Sequence, residues 1–211
     1  MAIAVDRGPG VDKSAENGQP ERTISIADPA PLGLAGFAMT LFVLSMFNTG
    51  LVSSTGEPVV LGLAIAYGGL AQLLAGMWDF RRGNTFGALM FTSYAAFWIS
   101  FWVLNQFLLR QIPTAEAGAA VGLYLIAWAI FSAYLWAASL RTTAAISLTL
   151  LLFTATFVLL GIGNAGTHPD VVKVGGWVGL ATAAVAWYAS SAAVINSTSG
   201  RTVLPVLPLR R

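Results

Sequence analysis

The chain predicts an all-α integral membrane protein with six transmembrane helices and both termini in the cytoplasm. Three observations carry that prediction. Charged residues make up only 9% of the sequence, against roughly 25% in an ordinary soluble protein. Six apolar stretches lie between residues 29 and 211, each near the roughly 20 residues that one helical crossing requires. None has a charge in its interior, where a Lys, Arg or Asp would cost about 2.5–3.5 kcal/mol. The third observation is the placement of the basic residues. With the N-terminus inside, nine of the 11 Lys and Arg residues fall on the cytoplasmic side: Arg7, Lys13, Arg22, Arg81, Arg82, Arg141, Arg201, Arg210 and Arg211. Only Arg110 and Lys173 fall outside, the asymmetry of a positive-inside topology.

The spans follow in order as Leu32–Val52, Pro58–Trp78, Phe86–Leu109, Gly118–Leu140, Ala144–Gly163 and Val171–Ile195. Each is bounded by a short polar connection: Ser53–Glu57, Asp79–Thr85, Arg110–Ala117, Arg141–Thr143 and Asn164–Asp170. No connection is long enough for a second domain, so residues 29–195 form one membrane domain. Residues 1–28 are polar, with no apolar region or cleavage site, and predict a disordered cytoplasmic tail. Residues 196–211 predict a second cytoplasmic tail. Trp78, Trp136 and Trp177 fall near span ends, where aromatic belts form. Gly118/Gly122, Ala71/Ala75 and Gly175/Gly179/Ala183 place small residues four apart, a spacing that lets helices approach closely within a protomer or between subunits.

Composition also excludes. The chain has no cysteine and a single histidine, His168, so disulfides, thiol catalysis and a multi-histidine metal site are excluded, and no metal or cofactor is expected. His168 lies in an outer loop and is expected to be a solvated side chain. No G-x-S-x-G or H-E-x-x-H pattern occurs. With so few catalytic groups an intramembrane enzyme is not expected, and nothing points to nucleic acid. The polar side chains within the spans are neutral: Thr40, Asn48, Tyr67, Gln72, Thr92, Ser93, Tyr94, Asn105, Thr154, Thr156, Asn164 and Tyr188. Each serves helix packing or lines a path for a small solute. Such a path suits a weak acid. Stripping water from a carboxylate costs several kcal/mol, whereas protonating it at pH 7 costs about 3–4 kcal/mol for a pKa like that of Glu. The neutral acid competes with the bare anion and carries its own proton.

The run Asp28-Pro29-Ala30-Pro31-Leu32-Gly33-Leu34 resembles the N-P-A-P-L-G-L signature of the acetate uptake transporter family, the acetate/succinate–proton symporters, with Asp in place of the first Asn. Pro31 suits a first helical turn, and Asp28 can cap it as Asn would. Ala66-Tyr67-Gly68-Gly69-Leu70-Ala71-Gln72, Gly83-Asn84-Thr85-Phe86-Gly87 with Phe91-Thr92-Ser93-Tyr94, Gly161-Ile162-Gly163-Asn164, Gly176-Trp177-Val178-Gly179 and Gly200-Arg201-Thr202-Val203-Leu204-Pro205 continue the resemblance in register.

The resemblance implies a six-helix protomer with its own pore in the cell membrane, assembled as a homo-hexamer and moving acetate, and in some members succinate, with protons. It places a constriction at Phe37, Tyr94 and Phe153, the last departing from the family's Leu. Counting 1.5 Å per residue, these three sit roughly 8, 12 and 14 Å into their helices, with Gln72 at similar depth on the second. The substrate path is expected at Asn48, Tyr67, Gln72, Thr92, Ser93, Thr154 and Asn164. A urea or amide channel is the alternative, since such proteins share the six-helix plan and an uncharged pore; the D-P-A-P-L-G-L and G-N-T-F-G runs argue against it.

Overall fold

The structure, a computed structural model, describes residues 26–209, so the tail expected at residues 1–28 lies almost wholly outside the described residues. Six membrane-length apolar helices follow: α1 Ala30–Asn48, α2 Val59–Arg82, α3 Thr85–Gln111, α4 Thr114–Ser139, α5 Ala144–Ala165 and α6 Pro169–Ser199. Local chemistry sets their ends. Pro31 lies in the first turn of α1, whose N-cap residue is Pro29 with no side-chain cap; Asp28, expected as the cap, stands one residue earlier and accepts the Ala30 amide at 3.2 Å. Gly83, at φ +76°, terminates α2 in the left-handed region that glycine enters without steric cost. The Asn84 side chain then accepts the Gly87 amide and starts α3. Thr143 caps α5 through the Ile146 amide.

Two helices leave regular geometry. Residues Ala66–Ala71 of α2 and Leu104–Leu108 of α3 form π-turns, local insertions that shift the phase of the residues after them. Neither was legible in the apolar pattern.

Packing follows the small residues. At Gly122 an added Cβ would stand 2.6 Å from Ala165 Cβ and 2.8 Å from the Gly161 carbonyl, so α4 lies directly on the backbone of α5. At Gly176 it would meet the Thr49 amide of α1 at 2.7 Å. The small-residue stripes of α4 and α6 are therefore used within the protomer. Gly122→Val is expected to destabilise the protein by about 1–3 kcal/mol, the usual cost of overpacking, seen as a lower melting temperature in detergent. The remaining faces, with Leu70, Leu74, Leu123, Ile130 and Trp177 more than half exposed, suit lipid.

Helix boundaries differ from expectation at two functional places. α2 continues past Trp78 to Arg82, taking Asp79 into the helix, where it is fully buried. α6 continues past Ile195 to Ser199, and the segment after it is an ordered strap. The Leu207 carbonyl accepts the Ala144 amide at the start of α5, the Tyr188 hydroxyl donates to the Pro205 carbonyl, and Asn196 holds the amides of Val203 and Leu204.

Candidate transport pathway

Three aromatic rings from the three outward-running helices meet in the protein interior. Phe37 of α1 and Phe153 of α5 stand edge to face with centroids 4.6 Å apart. Tyr94 of α3 lies 5.1 Å from Phe153 and 5.9 Å from Phe37. All three are at least 97% buried. The Tyr94 hydroxyl donates to Ser132 of α4 at 2.9 Å, which fixes its ring.

Outside this cluster lies a vestibule of about 290 Å³. Phe153 forms part of its floor, Phe97, Thr156 and Phe157 its lower wall, and Asn48, Asn105, Asn164 and Glu57 its upper part. Glu57 is the one carboxylate on this wall among the described residues, and burial raises its carboxyl above the usual range. On the cytoplasmic side of the cluster a cavity of about 10 Å³ is lined by Phe37, Tyr94, Gln72, Thr149 and apolar neighbours. That is room for about one water. The rings thus separate a roomy outer chamber from a nearly closed inner one.

Gln72 opens the regular part of α2 immediately after the π-turn. A π-turn inserts one extra residue, equivalent to about 100° of helix rotation, and so resets the direction of the residues that follow. Close packing holds the turn: a Cβ at Gly36 of α1 would stand 2.5 Å from the Tyr67 carbonyl. Gln72 is 1% exposed, and its Oε1 is buried with no hydrogen-bond partner among the described residues. An unused buried acceptor costs about 1–3 kcal/mol, so this atom favours any solute that brings an O–H.

The structure brings Asn48, Gln72 and Asn164 to the two cavities and leaves the other expected path residues outside both. Tyr67 packs on Gly36. Thr92 bonds the Ala88 carbonyl of its own helix and presses its methyl against Gly76. Thr154 bonds the Leu150 carbonyl, and half-buried Ser93 lines neither chamber. Thr156 and Asn105 do line the vestibule. The signal for Thr156 was present: with Phe153, Phe157, Leu160 and Asn164 it forms one helical stripe, which Thr154 leaves by about 100°.

The signature segment meets the α2–α3 turn at the cytoplasmic end. Arg82 pairs with Asp28 and lies 3.9 Å from Asp79. Asp79 accepts from Asn84 at 3.0 Å. Its second carboxylate oxygen is buried without a partner among the described residues, packed where Gly87 lacks a side chain. Asp28 is half exposed, so its ion pair contributes only about 0–1 kcal/mol. Asp28→Asn keeps the oxygen that accepts the Ala30 amide, and its stability should stay within about 1 kcal/mol of the parent, read as a nearly unchanged melting temperature.

Known proteins resemble this chain in sequence and fold. Residues 12–211 match the GPR1/FUN34/yaaH family. Acetate permease A of Emericella nidulans is 41% identical over 94% of this chain and 70% of its own length. The succinate-acetate/proton symporter SatP of Escherichia coli is 36% identical over 86% of this chain and 95% of its own. The solved structure of the bacterial acetate channel SatP superposes with a TM-score of 0.81 at 35% identity, covering 86% of this chain and 99% of the other. These relatives are transporters and channels rather than enzymes. The chain is a multi-pass membrane protein of six helices and belongs to the GPR1/FUN34/yaaH family.

Proposed function

We propose that the protein carries acetate and related short carboxylic acids across the cell membrane as the neutral acid, so that each molecule brings its own proton. The carrying observation is the wall between the two chambers. It consists of aromatic and aliphatic side chains, hydroxyls and the carboxamides of Asn48, Asn105, Asn164 and Gln72, and among the described residues its one carboxylate, Glu57, stands at the outer mouth. Among the described residues no cation on this wall compensates a desolvated carboxylate, whose dehydration costs several kcal/mol. Protonation at pH 7 costs about 3–4 kcal/mol and leaves a solute with both a donor and an acceptor. The free Oε1 of Gln72 suits the donor.

Phe37, Tyr94 and Phe153 act as the constriction in this reading, and Asn48, Gln72 and Asn164 as polar stations above and below it. Relatives named for acetate and for succinate-acetate/proton symport support the substrate class. Family membership does not favour urea and small amides, the other solutes an uncharged pore admits. Uptake of radiolabelled acetate and urea into proteoliposomes tests the assignment. Acetate uptake well above that of protein-free vesicles, with urea at background, is the expected result; the reverse pattern contradicts it.

The same reading includes a homo-hexamer in which every protomer has its own pore, as the resemblance implies. The small-residue stripes are consumed inside the protomer, so subunit contacts would use the exposed apolar faces. Native mass spectrometry should show six copies; a stable monomer contradicts this part.

A further inference from the structure

Each ring of the aromatic cluster has an asparagine eleven residues after it in sequence: Phe37 and Asn48, Tyr94 and Asn105, Phe153 and Asn164. Eleven residues are close to three helical turns, within about 20° of the same face and about 16 Å further along the axis. The three rings touch, and the three helices all run outward. Their asparagines lie beyond them on α1 and α5 by about three turns and on α3 at the start of the π-turn, and all three line the same vestibule. The residues between continue the stripe on each helix: Leu41 and Leu44 on α1, Phe97 and Phe101 on α3, Phe157 and Leu160 on α5.

We propose that Asn48, Asn105 and Asn164 form a three-carboxamide collar that binds the carboxyl group of the entering acid before it reaches the rings. This rests on the transport reading above and adds a site to it. A carboxyl group offers two oxygens in a plane, and in the neutral acid one O–H. Carboxamides answer both, with N–H donors and a C=O acceptor. The Nδ2 groups of Asn105 and Asn164 each donate one hydrogen to their own helix, to the Phe101 and Leu160 carbonyls, both at 2.8 Å. Those bonds orient the side chains and leave Oδ1 and the second N–H of each unused by them. The π-turn Leu104–Leu108 contains Asn105, so the third collar residue sits at a local departure from α-geometry, where functional sites recur. The vestibule's volume of about 290 Å³ far exceeds the roughly 10–15 Å³ that one water needs on the same measure, enough for a short acid standing upright on the rings.

The collar is neutral, so it binds by hydrogen bonds and lets go easily, as a station on a path must. Arg110 and Glu57 line the adjoining outer groove together with Asn105. Glu57 also lines the upper vestibule beside the collar, so charge stands at the approach and at the collar's edge while the three carboxamides themselves are neutral.

Acetate flux into proteoliposomes, measured against acetate concentration, tests the site. Asn105→Leu should raise the KM for acetate three- to tenfold, one hydrogen bond's worth, with the maximal rate within twofold of the parent. Asn105→Ser, which keeps a donor and an acceptor, should fall between. Gln106→Leu, on the next residue but lining only the outer groove, should leave KM unchanged. An unchanged KM in both Asn105 variants overturns the collar, as does a loss of maximal rate at constant KM, the mark of a packing role. If the parent protein itself gives no acetate flux above protein-free vesicles, the transport reading fails and the collar with it.

Discussion

Phe153→Leu is expected to raise succinate flux relative to acetate flux by about tenfold or more. Phe153 is the residue at which this chain departs from the Leu its family resemblance implies. It contacts both other rings of the cluster, at 4.6 and 5.1 Å, and Phe157 at 4.3 Å. With the cytoplasmic cavity at about 10 Å³, the rings must part for any acid to pass. The longer succinic acid keeps them apart over more of its length. A size difference of one or two methylenes at such a contact corresponds to about 1–3 kcal/mol, or 10- to 200-fold. Leu152, the neighbour that could replace Phe153 in the ring, is only half-buried and outside the aromatic cluster. Competition uptake with labelled acetate and succinate checks the prediction, and an unchanged ratio in Phe153→Leu refutes the gating role.

Gln72→Leu is expected to lower acetate flux at least tenfold while leaving the fold as stable as before or slightly more so. The two effects have one cause. The Oε1 of Gln72 is a buried acceptor without a partner. Replacing it with an apolar side chain of similar size removes an unsatisfied group costing about 1–3 kcal/mol, and removes the acceptor that would receive the acid's O–H. A residue serving only to hold α2 against α1 would lose stability and flux together. Thermal unfolding in detergent beside initial uptake rates distinguishes the cases.

The six crossings were legible because each apolar stretch is uninterrupted and each junction carries Gly, Pro or charge. The junction at Asp79 was harder. The charge there looked like the end of a membrane span, yet the helix runs on to the Gly83 cap, and Asp79 is buried among Asn84, Gly87 and Arg82. Gly83 was the usable signal.

The site was legible in part. Phe37, Tyr94 and Phe153 came from the resemblance and from matching depths, and the structure adds that they touch. Polar residues were not separable by type. Thr92 and Thr154 spend their hydroxyls on carbonyls four residues back, a bond any helical threonine makes. Gln72 depends on a π-turn that hydropathy does not register. The eleven-residue spacing from ring to asparagine is written in the sequence, but its meaning requires that three helices face one cavity.

The central claim is that the neutral acid crosses. The most direct measurement follows acetate uptake and lumenal pH together in proteoliposomes, with the membrane potential clamped at several values and protein-free vesicles subtracted. One proton delivered per acetate and a flux indifferent to voltage are expected. Acetate entry that follows the voltage without acidifying the lumen would mean that the anion crosses bare, and would contradict that claim.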